Sequence, residues 1–317
     1  MLSGKEAIDQ LREACSSSPE DLENRARLLG ALSALHRPEP APELVSEVVW
    51  WIRHHPREVE NVIGALSMLS HAPFWAHQRI RDAWEAALAT HGEATEVALA
   101  AAESFSHHEP DRALALLERA HAASKDPRPA RKAGHIWWLR SLRFHRSGEP
   151  EHAREEATEA LRWFENALER ERGASQRLVT LPDACKAALA VGEPERARAL
   201  AEEMLSRAAS APVDWNTGNA LYDAHSTLGE IALGEGAIDR AKDHLRLAGL
   251  TPGSPQLDSF GPDLRLADVL LQRGERSAVV AFLREIGRFW QDGRSRIELW
   301  CLEIERGDTP KLSRFED

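Results

Sequence analysis

A chain of 317 residues with 43% apolar and 29% charged residues has a globular composition, which excludes wholesale disorder. Its net charge of −11 argues against a polyanion binder, because affinity for nucleic acid is built mainly from Lys and Arg contacts to phosphate, so no nucleic-acid partner is expected. No apolar run reaches the ~18 residues that cross a bilayer; the start, Met1-Leu2-Ser3-Gly4-Lys5, lacks a basic segment followed by an apolar one; and Cys15, Cys185 and Cys301 are scattered, as reduced thiols are, so the expectation is a cytoplasmic protein with no membrane partner.

Residues 3–15 read as a short helix that Ser16-Ser17-Ser18-Pro19 stops. Pro19 is expected in the first turn of the next helix, which runs to about 36, with Glu20, Asp21 and Glu23 near its positive end. Pro38, Pro40 and Pro42 make a corner, and 43–55 returns as a helix carrying Trp50 and Trp51. A further hairpin is expected over 57–70 and 73–90, turning near Ala72.

A phrase then recurs. Gly148-Glu149-Pro150-Glu151-His152-Ala153-Arg154, Gly192-Glu193-Pro194-Glu195-Arg196-Ala197-Arg198 and Gly236-Ala237-Ile238-Asp239-Arg240-Ala241-Lys242 place their glycines 44 residues apart. His107-His108-Glu109-Pro110-Asp111-Arg112-Ala113 is an earlier copy with His108 in the glycine position, and Gly274 marks a later corner. The glycine ends one helix in the left-handed conformation, and the proline sits just inside the next, where its missing N–H leaves no partner wanting. A fixed period of this size is the mark of stacked helical repeats.

Between corners, Leu228-Gly229, Gly236, Ala241, Leu245 and Ala248 stand at the offsets of the tetratricopeptide repeat (TPR), as do Trp137, Ser141, Phe144, Ala153 and Ala160 in an earlier copy and Ala188, Ala197 and Ala201 in the next. The pattern resembles that family over about 94–292, although Arg140 stands where the family has leucine, Cys185 replaces its glycine, and the period exceeds the usual one. The run Gly253-Ser254-Pro255-Gln256-Leu257-Asp258-Ser259-Phe260-Gly261-Pro262-Asp263, with Phe289-Trp290 further on, resembles the C-terminal part of a poorly characterised group of bacterial TPR-like proteins. That group commonly has asparagine where Asp258 and Asp263 stand. This second resemblance implies a bacterial origin and carries no defined role over to this chain.

The expected fold is therefore all-α: a right-handed TPR-like α-solenoid of stacked helix hairpins. Divergent hairpins occupy 1–93, TPR-like repeats 94–292, and a capping helix and tail 293–317.

Chemistry is sparsely signalled. Glu118-x-x-His121 and Glu149-x-x-His152 have di-iron spacing, yet 14 histidines among 51 acids supply about two such pairs by chance, and Glu149 opens a helix as a capping acid does. Gly-x-Ser-x-Gly, His-Glu-x-x-His, Gly-x-Gly-x-x-Gly and P-loop motifs are absent. No metal, no cofactor and no catalysis are expected.

The anomaly is charge. From Pro127 to Gly148 there is no acid, and Arg128, Arg131, Lys132, Arg140, Arg143 and Arg146 alternate with Trp137, Trp138 and Phe144. In the TPR-like register His135, Trp138, His145 and Arg146 point into a concave groove, followed by Lys186, then Asp223, Ser226 and Glu230, and Asp268 beyond. Asn219 is a further ligand candidate, and Thr217 is expected to cap its helix. Equally, the arginines are solvated or neutralised by acids of 151–171, with the tryptophans mainly in the core. The reading favoured is a scaffold or adaptor that binds a protein or peptide segment through His135, Trp138, His145, Arg146, Lys186, Asn219, Asp223 and Glu230. The rivals are an immunity-type inhibitor of one enzyme or toxin, and an enzyme with a cryptic helical site.

Overall fold

A computed structural model describes residues 4–34, 40–59, 69, 73–210 and 215–312. These residues form sixteen helices with no strand among them, so the chain is all-α as expected. They belong to two compact units, Met1–Ile136 and Trp137–Asp317. The expected corners near Pro38 and Ala72, and most of the expected helix at 57–70, lie outside the described residues.

In the first unit α1 (Gly4–Ser17) packs on α2 (Leu22–Ala34), α3 (Pro42–His54) on α4 (Phe74–His91), and α5 (Thr95–Phe105) on α6 (Pro110–Ala123). The second helix begins later than Pro19 suggested. The Asp21 carboxylate accepts from the N–H groups of Glu23 and Asn24, both at 3.1 Å, so the acid caps the helix and Pro19 stays in the turn. Arg25 is buried there because its charge is fully used: it bonds the Pro19 carbonyl at 2.6 Å and Glu47 at 2.7 Å, and lies 3.6 Å over the Trp50 ring. Trp84 is wholly buried and its indole N–H donates to Ser104 Oγ at 2.8 Å.

The remaining helices are α7 (Arg128–Arg146), within which the unit boundary falls, α8 (Pro150–Arg170), α9 (Ala174–Val191), α10 (Pro194–Ser210), α11 (Trp215–Gly234), α12 (Ile238–Gly249), α13 (Pro255–Phe260), α14 (Arg265–Gln272), α15 (Arg276–Ile286) and α16 (Arg294–Glu305). Consecutive members from α8 to α12 pack together, and α9 also packs on α11. These are the stacked hairpins of a TPR-like solenoid.

The glycine corners are built alike. Gly148, Gly192, Gly236 and Gly274 have φ of 79°, 90°, 76° and 88°. In each, the following N–H reaches the carbonyl five residues back: Glu149 to Phe144, Glu193 to Ala188, Ala237 to Ala232 and Glu275 to Leu270, at 2.9–3.0 Å. The copy at His108 closes differently, with Glu109 N bonding Phe105 O at 2.8 Å, since a residue with a Cβ avoids positive φ.

A second repeated contact sits one helix earlier. Ser141 Oγ donates to the carbonyl of Ala153 at 2.7 Å, and Cys185 Sγ to that of Ala197 at 3.7 Å, twelve residues on in both cases. The same register in the next copy holds Gly229, where an added Cβ would lie 2.4 Å from Leu266 and 3.3 Å from His244. So the family's glycine is replaced by the two small residues able to bond the carbonyl they press against. Ala153, Ala197, Ala201, Ala241 and Ala248 are buried at the facing positions, as the resemblance implied.

At the α11–α12 crossing the Nδ1 atoms of His225 and His244 lie 3.3 Å apart. Burial, then the neighbouring His244, pushes the pKa of His225 down to about 4. His244 is lowered too, chiefly by burial.

Around Gly192 an added Cβ meets open space, so Gly192→Ala acts through φ alone and should destabilise the second unit by ~1–2 kcal/mol. Gly30 lies inside α2, also in open space and without positive φ, so Gly30→Ala should instead stabilise by up to ~1 kcal/mol; urea midpoints read both signs. For His225 the folded pKa lies below the unfolded value, so its contribution is present above about pH 6.5 and is lost as pH falls toward about 4. His225→Gln should therefore reduce the fall in urea midpoint between about pH 7 and about pH 5.

Candidate functional site

The second unit contains a groove of about 510 Å³. One wall is α9, which contributes Leu178, Val179, Pro182, Asp183 and Lys186, residues spaced to share one helix face. The other is α11, whose Asn216, Asn219 and Asp223 share a face by the same spacing, and Glu230 lies one heptad further along it. The end is closed by Gln256, Leu257 and Phe260 of α13 and by Gly261 and Asp263.

Pro182 is an interior helix residue. Having no N–H, it cannot make the bond to the Leu178 carbonyl four residues back that an interior helix residue ordinarily makes. Val179 and Phe260 remain 40% and 65% exposed, an uncommon share for apolar side chains beside a concavity.

The polar groups are interlocked. Lys186 Nζ lies 3.1 Å from Asp223 Oδ1, with the two side chains 27% and 18% exposed. Burial pulls the Lys186 pKa down, but Asp223, Asp183 and Asp263 outweigh it and hold the ammonium above its ordinary value. Asp263 accepts from Arg265 N at 3.0 Å and Nε at 2.9 Å, and its pKa stays below the ordinary value because these contacts and the Arg265 charge exceed the burial that raises it. Burial raises the Glu230 pKa, and Arg265, 3.6 Å away, offsets this only in part. Asn219 donates to Gln256 and accepts from Ser254 Oγ at 2.6 Å, so the amide both faces the groove and fixes α13. Ser254 in turn caps α13 through Leu257 N at 3.0 Å.

The segment 250–264 is held by close approach. A Cβ on Gly218 would fall 1.9 Å from the Gly253 carbonyl oxygen, one on Gly253 2.6 Å from Phe289, and one on Gly261 2.6 Å from Trp290. Thr251 donates to the Gly218 carbonyl at 2.8 Å, Tyr222 to that of Asp263 at 2.5 Å, and Asp258 accepts from Gln291 N at 2.9 Å. The glycines and the Phe-Trp pair singled out in the sequence thus form one packed joint.

Of the residues read from sequence, Lys186, Asn219 and Asp223 meet in this groove, and Glu230 lies beyond them on α11 beside Arg265. Trp138, His145 and Arg146 are not among its lining residues; Trp138 is half-buried against the core, while His145 and Arg146 are exposed on α7. His135 is exposed on the same helix, in the first unit. Part of the acid-free stretch is neutralised by neighbours: Arg140 pairs with Glu156 at 2.9 Å, Lys132 with Glu103 at 2.7 Å and Arg128 with Asp126 at 2.7 Å. Arg140 also lies 4.5 Å over Trp137. Asp268 faces the chain end instead, accepting from Leu312 N at 2.9 Å. Thr217 does not cap α11, because the helix already begins at Trp215; it is buried within the first turn. Sequence reasoning missed Pro182, Val179, Gln256 and Phe260. The proline inside a helical run was the available signal.

His152 Nδ1 lies 3.4 Å from Glu149, so one acid-x-x-His pair is a local contact. Among the described residues no group of three or more His, Cys, Asp or Glu side chains is arranged to hold a metal ion. No described helix is long and apolar enough to cross a membrane.

No protein-family model matches the chain, and no curated protein matches it. Solved structures do. A monomeric mutant of IFIT1 with Gppp-AAAA is 16% identical, with a TM-score of 0.52 over 96% of this chain and 67% of that one. The human IFIT1 dimer with PPP-AAAA is 17% identical, with a TM-score of 0.51 over 95% and 67%. A tetratricopeptide repeat protein from Parabacteroides merdae is 13% identical, with a TM-score of 0.26 over 80% and 96%. The fold is that of a TPR-like helical solenoid.

These structures overturn the exclusion of nucleic acid. IFIT1 has this fold and was solved with Gppp-AAAA and PPP-AAAA, so neither the fold nor a net charge removes oligonucleotides from consideration. The physical error lay in scale: −11 is a sum over the whole chain, whereas binding depends on the few groups facing the ligand.

Gly218→Ala tests the joint. Its Cβ meets backbone that cannot rotate away, so the expected result is a loss of ~1–3 kcal/mol in urea unfolding together with new protease cleavage within 250–264.

Proposed function

We propose that this protein is a non-catalytic protein-interaction scaffold, and that the groove between α9 and α11 holds an extended segment of a partner protein. The observation that carries this reading is the convergence of Lys186, Asn219 and Asp223 with Val179 and Phe260 in one groove. Its volume is of the order that encloses a small ligand or a few residues of chain. The Asn216 and Asn219 amides suit peptide backbone, and the exposed apolar pair Val179 and Phe260 supplies contacts for its side chains. Glu230 extends the same helix face. His135, Trp138, His145 and Arg146 are proposed as secondary contacts on α7, outside this groove.

The test is selection of 12-residue random peptides on the full chain, followed by titration of a fluorescein-labelled winner. Phe260→Ala and Val179→Ala remove exposed side chains and should each weaken binding by about tenfold, whereas Arg162→Ala on α8 should leave it unchanged. Binding of the oligonucleotide Gppp-AAAA that Phe260→Ala abolishes, or peptides indifferent to both groove variants, would overturn the reading.

A further inference from the structure

We propose that Gly307–Leu312 is an intramolecular ligand: it fills a second peptide site, on α14 and α15, and a partner segment of the same pattern takes that site by displacing it. The site lies outside the groove between α9 and α11 and stands or falls without it.

Six residues before the corner glycines Gly192, Gly236 and Gly274 stand Lys186, Glu230 and Asp268. Asp268 is thus the next station in the series that runs through Lys186 and Glu230, and extended protein already occupies it. Its Oδ1 accepts from the backbone N–H of Leu312 at 2.9 Å. Arg276, the first residue of α15, donates through Nη2 to the Gly307 carbonyl at 3.1 Å and to Thr309 Oγ1 at 3.4 Å. One side chain therefore reads the segment's acceptors and another its donor. Between these clasps Pro310 has no N–H to satisfy and a fixed φ that suits extended chain. Leu312 is the anchor: it is 6% exposed and belongs to the apolar cluster that includes Leu271, Val279 and Ile304, while Thr309 and Lys311 are exposed.

The segment is attached as a bound peptide is. Among the described residues Thr309, Pro310 and Leu312 make no backbone–backbone hydrogen bond with the solenoid. Lifting them breaks side-chain contacts and leaves the backbone ladders of α14, α15 and α16 intact, so opening is a local event that costs less than unfolding the unit. It uncovers a carboxylate acceptor, a guanidinium donor and the apolar seat of Leu312. A guest meets all three if it is extended and carries a hydroxyl residue three positions before a leucine. Main-chain bonds then give affinity and the leucine seat gives selectivity.

The experiment uses the full chain and an N-terminally fluorescein-labelled, C-terminally amidated peptide, Arg-Gly-Asp-Thr-Pro-Lys-Leu, the sequence of residues 306–312. Leu312→Ser removes the internal anchor, so this variant should bind the peptide about tenfold more tightly than the wild type, in which the tethered copy competes at high effective concentration. Adding Asp268→Ala to it should weaken binding by about tenfold, since a hydrogen bond to a charged group is lost. A peptide with serine in place of its leucine should bind neither protein. Amide hydrogen exchange on the wild type needs no variant: Leu312 should exchange about a hundredfold faster than the buried Leu283 of α15, and faster still when unlabelled peptide is added. Leu312 exchanging no faster than Leu283 would mean that the segment opens only with the whole unit, and would overturn the proposal. Peptide bound no better by a folded Leu312→Ser than by the wild type would overturn it too. Neither result bears on the groove, which Phe260→Ala tests separately.

Discussion

The close approach of α7 to α8, α9 to α10 and α11 to α12 sets the geometry on which the second unit depends. At the point of contact the first helix carries Ser141, Cys185 and Gly229 in turn. Serine and cysteine each bond the carbonyl of the facing alanine, and where glycine stands even one methyl would collide with Leu266. Bulk at this register would push the hairpins apart, and with them the spacing of α9 and α11 that makes the groove. Cys185 is conserved in role with a hydroxyl rather than with a reactive thiol: it is fully buried, and desolvation drives its pKa upward, so it stays neutral and packs.

Once the frame is fixed by small residues and glycine corners, function is set by what occupies the same register in successive copies. The positions of Val179, Pro182 and Lys186 on α9 recur 44 residues later as Asp223, Ser226 and Glu230 on α11. At these positions α9 therefore carries an apolar side chain, a proline and a cation, while α11 carries two acids and a serine. Identical repeats would have placed like against like. Divergence within a constant frame produces the complementary Lys186–Asp223 pair.

The corners were legible because glycine and proline act through their own backbone, within three residues of each other. Helix boundaries were legible to within a turn for the same reason, except where a side chain decided: Asp21 took the cap that Pro19 suggested, and α11 began before Thr217 could serve as one. The groove was only half legible. Lys186, Asn219 and Asp223 follow from the repeat register, but Gln256, Phe260 and Asp263 come from a segment outside it, positioned by Gly218, Gly253 and Gly261 against Phe289 and Trp290. No local pattern announces a joint between positions so far apart in sequence. The basic stretch of α7 stood out because it lacks acids of its own, yet Glu156 and Glu103 reach it from other helices. Charge counted along a chain misleads wherever packing supplies the counter-charge from elsewhere, and the same confusion of sum with site lay behind excluding oligonucleotides.

The Lys186–Asp223 pair is not what packing alone would select between α9 and α11. A partly buried ion pair pays desolvation on both members, and a packed pair of apolar residues of the same volume would stabilise α9 against α11 at least as well. Stability alone therefore gives no reason for charges at this position. Burial pulls the Lys186 pKa down, and Asp223, Asp183 and Asp263 together outweigh it, so the ammonium stays charged among them.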